Sequence, residues 1–198
     1  MYYDPMIAKL CTWAPTRGEA IEAMRNALDG FEVEGIGHNL PFLSAVMDHP
    51  IFIEGSMTTA FIEEQYPEGF EGVELPEADL RRVAASCAAM HRVAEIRRTR
   101  VSGRMDNHER KVGSDWVVSA QGVSFAVSVA ADHDGATVSF EDGSALRVAS
   151  DWTPGQTLAV LSVDAAPLVL KVDPITGGFR VRTGGADMKV HVRTPRQH

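Results

Sequence analysis

Hydrophobic and polar positions follow two different periods along the chain, and the period changes near residue 112. Before this point apolar residues recur every three or four positions, which is typical of helices with one buried face. After it they alternate with polar residues, as in Val123–Val129. Such alternation is typical of strands in a half-buried sheet. The pattern therefore predicts a helix-rich first half and an antiparallel β second half.

Residues 1–66 predict a small α+β unit. The apolar runs Met6–Trp13 and Phe31–Ile36 are interpreted as short strands. Four positions suit helix starts or stops; they are Thr16 (with Glu19 as a capping box), Gly30, Asn39 and Thr58. Two strands and three short helices bury little surface by themselves. We therefore interpret this unit as the tail of a larger domain and expect it to be loosely held.

Residues 67–75 predict an acidic, glycine-containing linker, and residues 76–100 predict a long helix. Pro76 suits the first helical turn, and the arginines at the far end complement the negative end of the helix dipole. Apolar and small residues occupy nearly the whole circumference of this helix, from Leu80 to Ile96. A helix that is apolar on all sides is enclosed by other elements. Because many of its residues are alanine, it is also thin.

The remainder of the chain predicts the enclosure, a barrel over residues 115–193. Eight short strands are predicted: Trp116–Ala120, Val123–Val129, Ala136–Phe140, Ala145–Ala149, Thr157–Val163, Leu168–Val172, Phe179–Arg182 and Met188–Val192. Asp-Gly pairs between some of them are typical of hairpin turns, and closure removes exposed sheet edges. The predicted fold class is α+β, an eight-stranded antiparallel β-barrel around a long central α-helix, preceded by a small α+β remnant.

Charge and cysteine content narrow the function. The 198-residue chain has 19 Lys plus Arg, 27 Asp plus Glu and a formal charge of −8, which argues against a nucleic-acid partner. No apolar run approaches the ~20 residues that cross a bilayer, and the first residues lack a secretory pattern. The two cysteines lie far apart and predict neither a disulfide framework nor a metal site. We expect a cytoplasmic protein (mitochondrial matrix if eukaryotic) without a membrane partner.

Several segments carry a resemblance to a known family. Those of the first unit are Tyr2–Leu10 with Arg17, Ala20–Leu28, Gly35–Asn39 and Phe52–Gly55 with Thr58–Ile62. They resemble the C-terminal subdomain of biotin carboxylases. The part that follows resembles the linking (BT) domain of propionyl-CoA carboxylase alpha subunits, supported by Tyr66–Phe70 and Ala149–Trp152. The family fold implied is a long helix surrounded by an eight-stranded antiparallel barrel.

The resemblance implies a fragment of the alpha subunit of a biotin-dependent acyl-CoA carboxylase, whose holoenzyme carboxylates propionyl-CoA to methylmalonyl-CoA with ATP. The ATP-binding core is expected before Met1, and the biotinylated lysine after His198. Biotin, ATP, Mg²⁺ and bicarbonate belong to the parent enzyme. We expect no cofactor in this chain and no carboxylase activity from it alone. The implied partners are the carboxyltransferase beta subunit and the remainder of the alpha subunit.

Residues 101–114 are implied to project like a hook towards the beta subunit. Arg and Met suit such an interface, because they combine contact area with adaptable packing. The contact candidates are Arg98, Arg100, Arg104, Met105, His108, Arg110 and Lys111. No catalytic residue is assigned, although Asp4 is a candidate for supporting the biotin site. The alternatives are a methylcrotonyl-CoA or other acyl-CoA carboxylase, a free-standing barrel that binds a small apolar ligand, and an independent hydrolase.

Overall fold

The computed structural model describes residues 6–33, 35–100 and 111–196. Within these residues a group of short helices precedes the barrel, and one long helix connects the two. The helices are α1 (Arg17–Gly30), α2 (Leu40–Asp48), α3 (Pro50–Glu54), α4 (Phe61–Gln65) and α5 (Glu77–Thr99). The chain therefore changes from helix to strand where the hydrophobic period changes.

Eight antiparallel strands close into a barrel, in which each strand pairs with the next and the last pairs with the first. They are β1 (Asp115–Ala120), β2 (Val123–Asp132), β3 (Gly135–Phe140), β4 (Ala145–Ser150), β5 (Leu158–Val163), β6 (Ala166–Ile175), β7 (Gly178–Thr183) and β8 (Ala186–Arg193). Val118 lies opposite Val192 where β1 and β8 close the ring. Each predicted strand is present, so the predicted barrel is confirmed.

Helix α5 runs through the barrel and supplies much of its core. Ala84, Ala85, Cys87 and Ala88 are fully buried, and they pack within one cluster with the inward-facing residues of the strands. An eight-stranded barrel leaves an interior that is only just wide enough for side chains. A helix passes through it here because its buried positions carry small side chains. The prediction of an enclosed helix is confirmed for the part of α5 from Leu80 to His91.

The two ends of α5 mark the two ends of the barrel. Near its start, Arg81 forms an ion pair of 2.6 Å with Asp142 in the β3–β4 hairpin and lies 4.4 Å from the Phe140 ring centroid. Near its end, Arg97 donates a hydrogen bond of 3.4 Å to the carbonyl oxygen of Pro154, between β4 and β5. We call the barrel end next to the C-terminal turns of α5 the mouth; it is formed by the β2–β3, β4–β5 and β6–β7 connections.

The first unit differs from its prediction. The two predicted strands, Met6–Trp13 and Phe31–Ile36, do not form in the described residues, where both segments are irregular. A strand requires a neighbouring strand to satisfy its backbone groups, and the described residues beside these segments provide none. The side chain of Trp13 is accordingly 85% exposed. The interpretation of these two apolar runs as strands is therefore wrong for the described residues.

The helix caps follow the sequence in part. Thr16 and Glu19 form the predicted capping box at the start of α1. Asn39 is the N-cap residue of α2, but its side chain makes no capping hydrogen bond. Ala60, and not Thr58, occupies the N-cap position of α4. The hydroxyl of Thr58, two residues before it, accepts a hydrogen bond from the Ala60 amide.

Candidate subunit interface at the barrel mouth

The C-terminal turns of α5 extend beyond the strands that enclose the helix. At 1.5 Å per residue, 23 residues span about 35 Å. The strands are six to ten residues long. The longest span about 33 Å, and a tilt of about 40° in the barrel reduces their projection on the barrel axis to about 25 Å. Because the helix is longer than the barrel is high, its last turns lie at the mouth, partly outside the ring of strands.

Basic side chains cluster at this end of the helix. Arg97, Arg98 and Arg100 are all exposed, and Lys111 is exposed on the returning chain before β1. Arg98 forms an ion pair of 2.6 Å with Glu95, whose side chain is buried. The described members of the predicted contact set therefore lie at the mouth. Arg104, Met105, His108 and Arg110 lie outside the described residues, and so does Asp4.

One side of the emerging helix borders an open groove of about 430 Å³. Its apolar wall includes Trp152 and Phe179, whose rings meet edge to face with centroids 5.9 Å apart. His91 lies at its base, with its ring 4.9 Å from that of Trp116. Burial lowers the pKa of His91, and the nearby Arg98 charge lowers it further against the opposing effect of Glu95. The histidine therefore favours its neutral form at pH 7.

The other side of the helix borders a second groove of about 230 Å³. Met90, Val93 and Ile96 of α5 line it, and Val93 is 44% exposed. The helix is thus not enclosed on all sides over its whole length, which corrects the prediction for its last three turns. Periodicity alone could not reveal this, but the mismatch in length between a 23-residue helix and strands of six to ten residues could have.

The mouth therefore combines two apolar grooves with a rim of exposed cations. Arginine beside apolar and aromatic side chains is the composition favoured at protein–protein interfaces. In the described part of the chain, no three His, Cys, Asp or Glu side chains are close enough to hold a metal ion. Over the same residues, none of the helices has the length and apolarity needed to cross a membrane. The mouth is therefore the candidate interface of the described residues.

Comparison with known proteins agrees with this fold. The family model described as "Propionyl-coenzyme A carboxylase BT domain" matches residues 83–198. A second model, "Biotin carboxylase C-terminal domain", matches residues 1–64. The two matches identify the C-terminal region of a biotin carboxylase domain followed by a BT domain. The chain belongs to the family of the propionyl-coenzyme A carboxylase BT domain, and the resemblance drawn from the sequence is confirmed.

Individual relatives show the same two regions. The chain is 80% identical over 197 residues to a propionyl-CoA carboxylase alpha chain of Ruegeria pomeroyi, covering all of this chain and 29% of that protein. It is 32% identical over 201 residues to the mitochondrial propionyl-CoA carboxylase alpha chain of Homo sapiens, covering 98% of this chain and 27% of the relative. Over 61 residues it is 52% identical to a biotin carboxylase of Halalkalibacterium halodurans. The chain thus spans less than a third of the length of these alpha chains.

Proposed function

We propose that this chain is part of the alpha subunit of a propionyl-CoA carboxylase and acts there as a structural linking module. Residues 1–66 would end the biotin carboxylase region, residues 67–75 would form the linker, and residues 76–198 the BT domain. The high identity to the Ruegeria pomeroyi alpha chain supports this assignment. Methylcrotonyl-CoA and other acyl-CoA carboxylases remain the alternatives within the same enzyme class.

The module would hold other parts of the enzyme in place and would take no part in the chemistry. In the parent enzyme, the biotin carboxylase region would carboxylate biotin with ATP, Mg²⁺ and bicarbonate, and a carboxyltransferase beta subunit would receive the carboxyl group. No chemical step is assigned to this chain in the proposal. By holding the two active sites near each other, the barrel would raise the effective concentration of the carrier at the second site.

The observation that carries the proposal is the helix-filled barrel with an exposed helix end. Ala84, Cys87 and Ala88 fill the interior, so the barrel axis is occupied by the chain itself. A free-standing barrel that binds a small apolar ligand requires a hollow interior. The two grooves instead lie at the mouth, beside the exposed arginines. This placement favours attachment to a partner subunit over enclosure of a ligand.

The test is sedimentation velocity of this chain, and of the alpha subunit that contains it, with a propionyl-CoA carboxylase beta subunit. Three variants are compared with the parent. The mouth variant carries Val93→Ala and Arg100→Ala. The matched control carries Val160→Ala and Lys189→Ala, which also removes one exposed valine and one exposed cation, but from the outer wall of the barrel. A third variant carries Arg98→Ala, Arg100→Ala, Arg104→Ala and Met105→Ala.

We expect the parent and the wall variant to bind the beta subunit equally. The mouth variant should bind about tenfold more weakly, which corresponds to about 1.4 kcal/mol and to the loss of one energetically important interface residue. The third variant should bind more weakly still. Equal binding by all four proteins would place the interface elsewhere. Failure of the complete alpha subunit to bind the beta subunit would refute the linking role.

A further inference from the structure

The C-terminal end of α1 is completed by the barrel. The last carbonyl groups of a helix lack partners within the helix and carry partial negative charge. Helix α1 has no basic residue in its own last turn. Lys171 of β6 instead donates hydrogen bonds to the carbonyl oxygens of Leu28, at 3.1 Å, and of Phe31. A residue more than 140 positions away thus supplies the missing cation.

A second contact joins α1 to the β7–β8 turn. The amide of Gly184 donates a hydrogen bond of 3.0 Å to the Asp29 carboxylate. Burial is the largest influence on Asp29 and raises its pKa, whereas the Gly184 hydrogen bond and the Lys171 charge oppose this effect. The carboxylate is half-buried between α1 and the barrel, where it accepts this hydrogen bond.

The same turn also meets α2 and the linker. Gly185 has a φ of +77°. A Cβ atom at this position would lie 2.8 Å from the carbonyl oxygen of Pro41, 3.1 Å from Cγ2 of Val73 and 3.3 Å from the amide of Ala45. Because glycine has no Cβ, the turn can approach both segments this closely. The Gly184-Gly185 pair is thus a docking point as well as a hairpin turn.

One side chain of the barrel makes two hydrogen bonds to the end of the linker. Gln121, in the β1–β2 turn, donates a hydrogen bond of 3.0 Å to the carbonyl oxygen of Val73. Its Oε1 accepts a hydrogen bond of 3.1 Å from the amide of Leu75. Val73 and Leu75 also pack against the barrel core. The final residues of the linker are therefore held in one conformation against the barrel.

Helix α1, helix α2 and the linker thus contact the barrel at separate points, through Lys171, the Gly184-Gly185 turn and Gln121. We call these contacts the joint. Contacts at three separate points restrain the orientation of one rigid body on another. We propose that the joint holds the biotin carboxylase region at one orientation relative to the barrel, and that overall carboxylation depends on this orientation whereas each half-reaction does not. This inference rests on the proposed function.

The orientation is measured directly by a distance between two spin labels. Glu63→Cys on α4 and Ser128→Cys on β2 place one label on each side of the joint, at exposed positions. The exposed Cys11 is changed to serine, and the buried Cys87 stays. Lys171→Met removes the cation but keeps a similar side-chain length. Lys189→Met is the matched control, since Lys189 is exposed on the outer wall.

We expect a narrow distance distribution in the parent and in Lys189→Met, and a broader or shifted one in Lys171→Met. Identical distributions in all three proteins would overturn the joint as an orienting element. If Lys171→Met does not fold, Gln121→Asn replaces it, because Asn tolerates the positive φ of this position but is too short to make both hydrogen bonds.

Activity is then measured with the complete alpha subunit assembled with the beta subunit. Lys171→Met should leave carboxylation of free biotin and the carboxyltransferase half-reaction within about twofold of the parent. The overall reaction should fall about tenfold, since misplacement of reacting groups by 1 Å costs as much as 100-fold. An unchanged overall rate together with a broadened distance distribution would overturn the proposed dependence. If the parent alpha subunit fails to bind the beta subunit, the proposed function fails, while the distance measurement still reports on the joint.

Discussion

Replacing Ala88 by leucine tests whether the barrel interior is filled. Ala88 is fully buried on α5, and the substitution adds three carbon atoms where neighbouring atoms already pack. Overfilling a packed core typically costs about 1–3 kcal/mol through displaced side chains and backbone. Leucine has nearly the helix propensity of alanine, so propensity contributes little. We expect Ala88→Leu to lower the free energy of unfolding by about 3 kcal/mol, at the upper end of that range because the barrel is closed.

The same substitution at Ala94 provides the control. Ala94 lies six residues further along α5 and lines the open groove of about 430 Å³ at the mouth. A leucine there has space to occupy and covers apolar surface. We expect Ala94→Leu to change the free energy of unfolding by less than about 0.5 kcal/mol, as is usual for substitutions that create no clash. The contrast between the two sites therefore measures packing and not helix propensity.

Guanidinium unfolding followed by tryptophan fluorescence gives both values. Trp116 and Trp152 lie in the barrel and are buried, whereas Trp13 is exposed. Measuring all proteins in a Trp13→Phe background restricts the signal to the barrel. Equal stabilities of Ala88→Leu and Ala94→Leu would refute the filled interior, and with it the main structural reason for rejecting a ligand-binding barrel.

Three further predictions concern thiol chemistry, pH and turn geometry. Burial raises the pKa of Cys87 to about 12. Ellman's reagent should therefore modify only the exposed Cys11 in the folded chain. Modification of both thiols without unfolding would contradict this. Hydrogen bonds from Ser144, followed by that from Arg81, lower the pKa of Asp142 to about 2. The ionised carboxylate therefore stabilises the fold above pH 3.8, and this contribution is lost as the pH falls towards 2. In acid titration, the stabilities of Asp142→Asn and of the parent should converge over this range. Gly178→Ala should destabilise the barrel by several kcal/mol in thermal unfolding, because the Cβ of the alanine would lie 2.0 Å from the Val190 carbonyl oxygen. A stability close to that of the parent would contradict the tight contact between β7 and β8.

The barrel was predictable because its signals are local. Alternating side chains such as Val123, Phe125 and Val127 identify a strand from a few neighbours, and Asp-Gly pairs identify the turns. The central helix was also predictable, since its apolar and alanine-rich circumference requires enclosure. The fold implied by the family resemblance has the same eight strands that these local patterns predict.

The first unit and the joint were not predictable for the opposite reason. An apolar run such as Met6–Trp13 becomes a strand only if a partner strand lies beside it, and a local pattern contains no information about that partner. Likewise, Lys171 and Leu28 are separated by 143 positions, and nothing near either residue indicates their contact. The expected loose attachment of residues 1–66 stays a prediction, although the contacts of the joint indicate a defined docking.

The linker contact of Gln121 and the basic end of α5 lie at opposite ends of one helix, which has a consequence for their coupling. Gln121 holds the linker near the start of α5, and Arg100 follows the end of the helix. The helix separates them by about 35 Å, several times the Debye length of about 8 Å at physiological ionic strength. In a double-mutant cycle, Gln121→Asn and Arg100→Ala should therefore affect beta-subunit binding additively, within about 0.5 kcal/mol. A larger coupling would mean that α5 shifts as a unit inside the barrel, so that the barrel transmits motion between the linker and the mouth instead of fixing their separation.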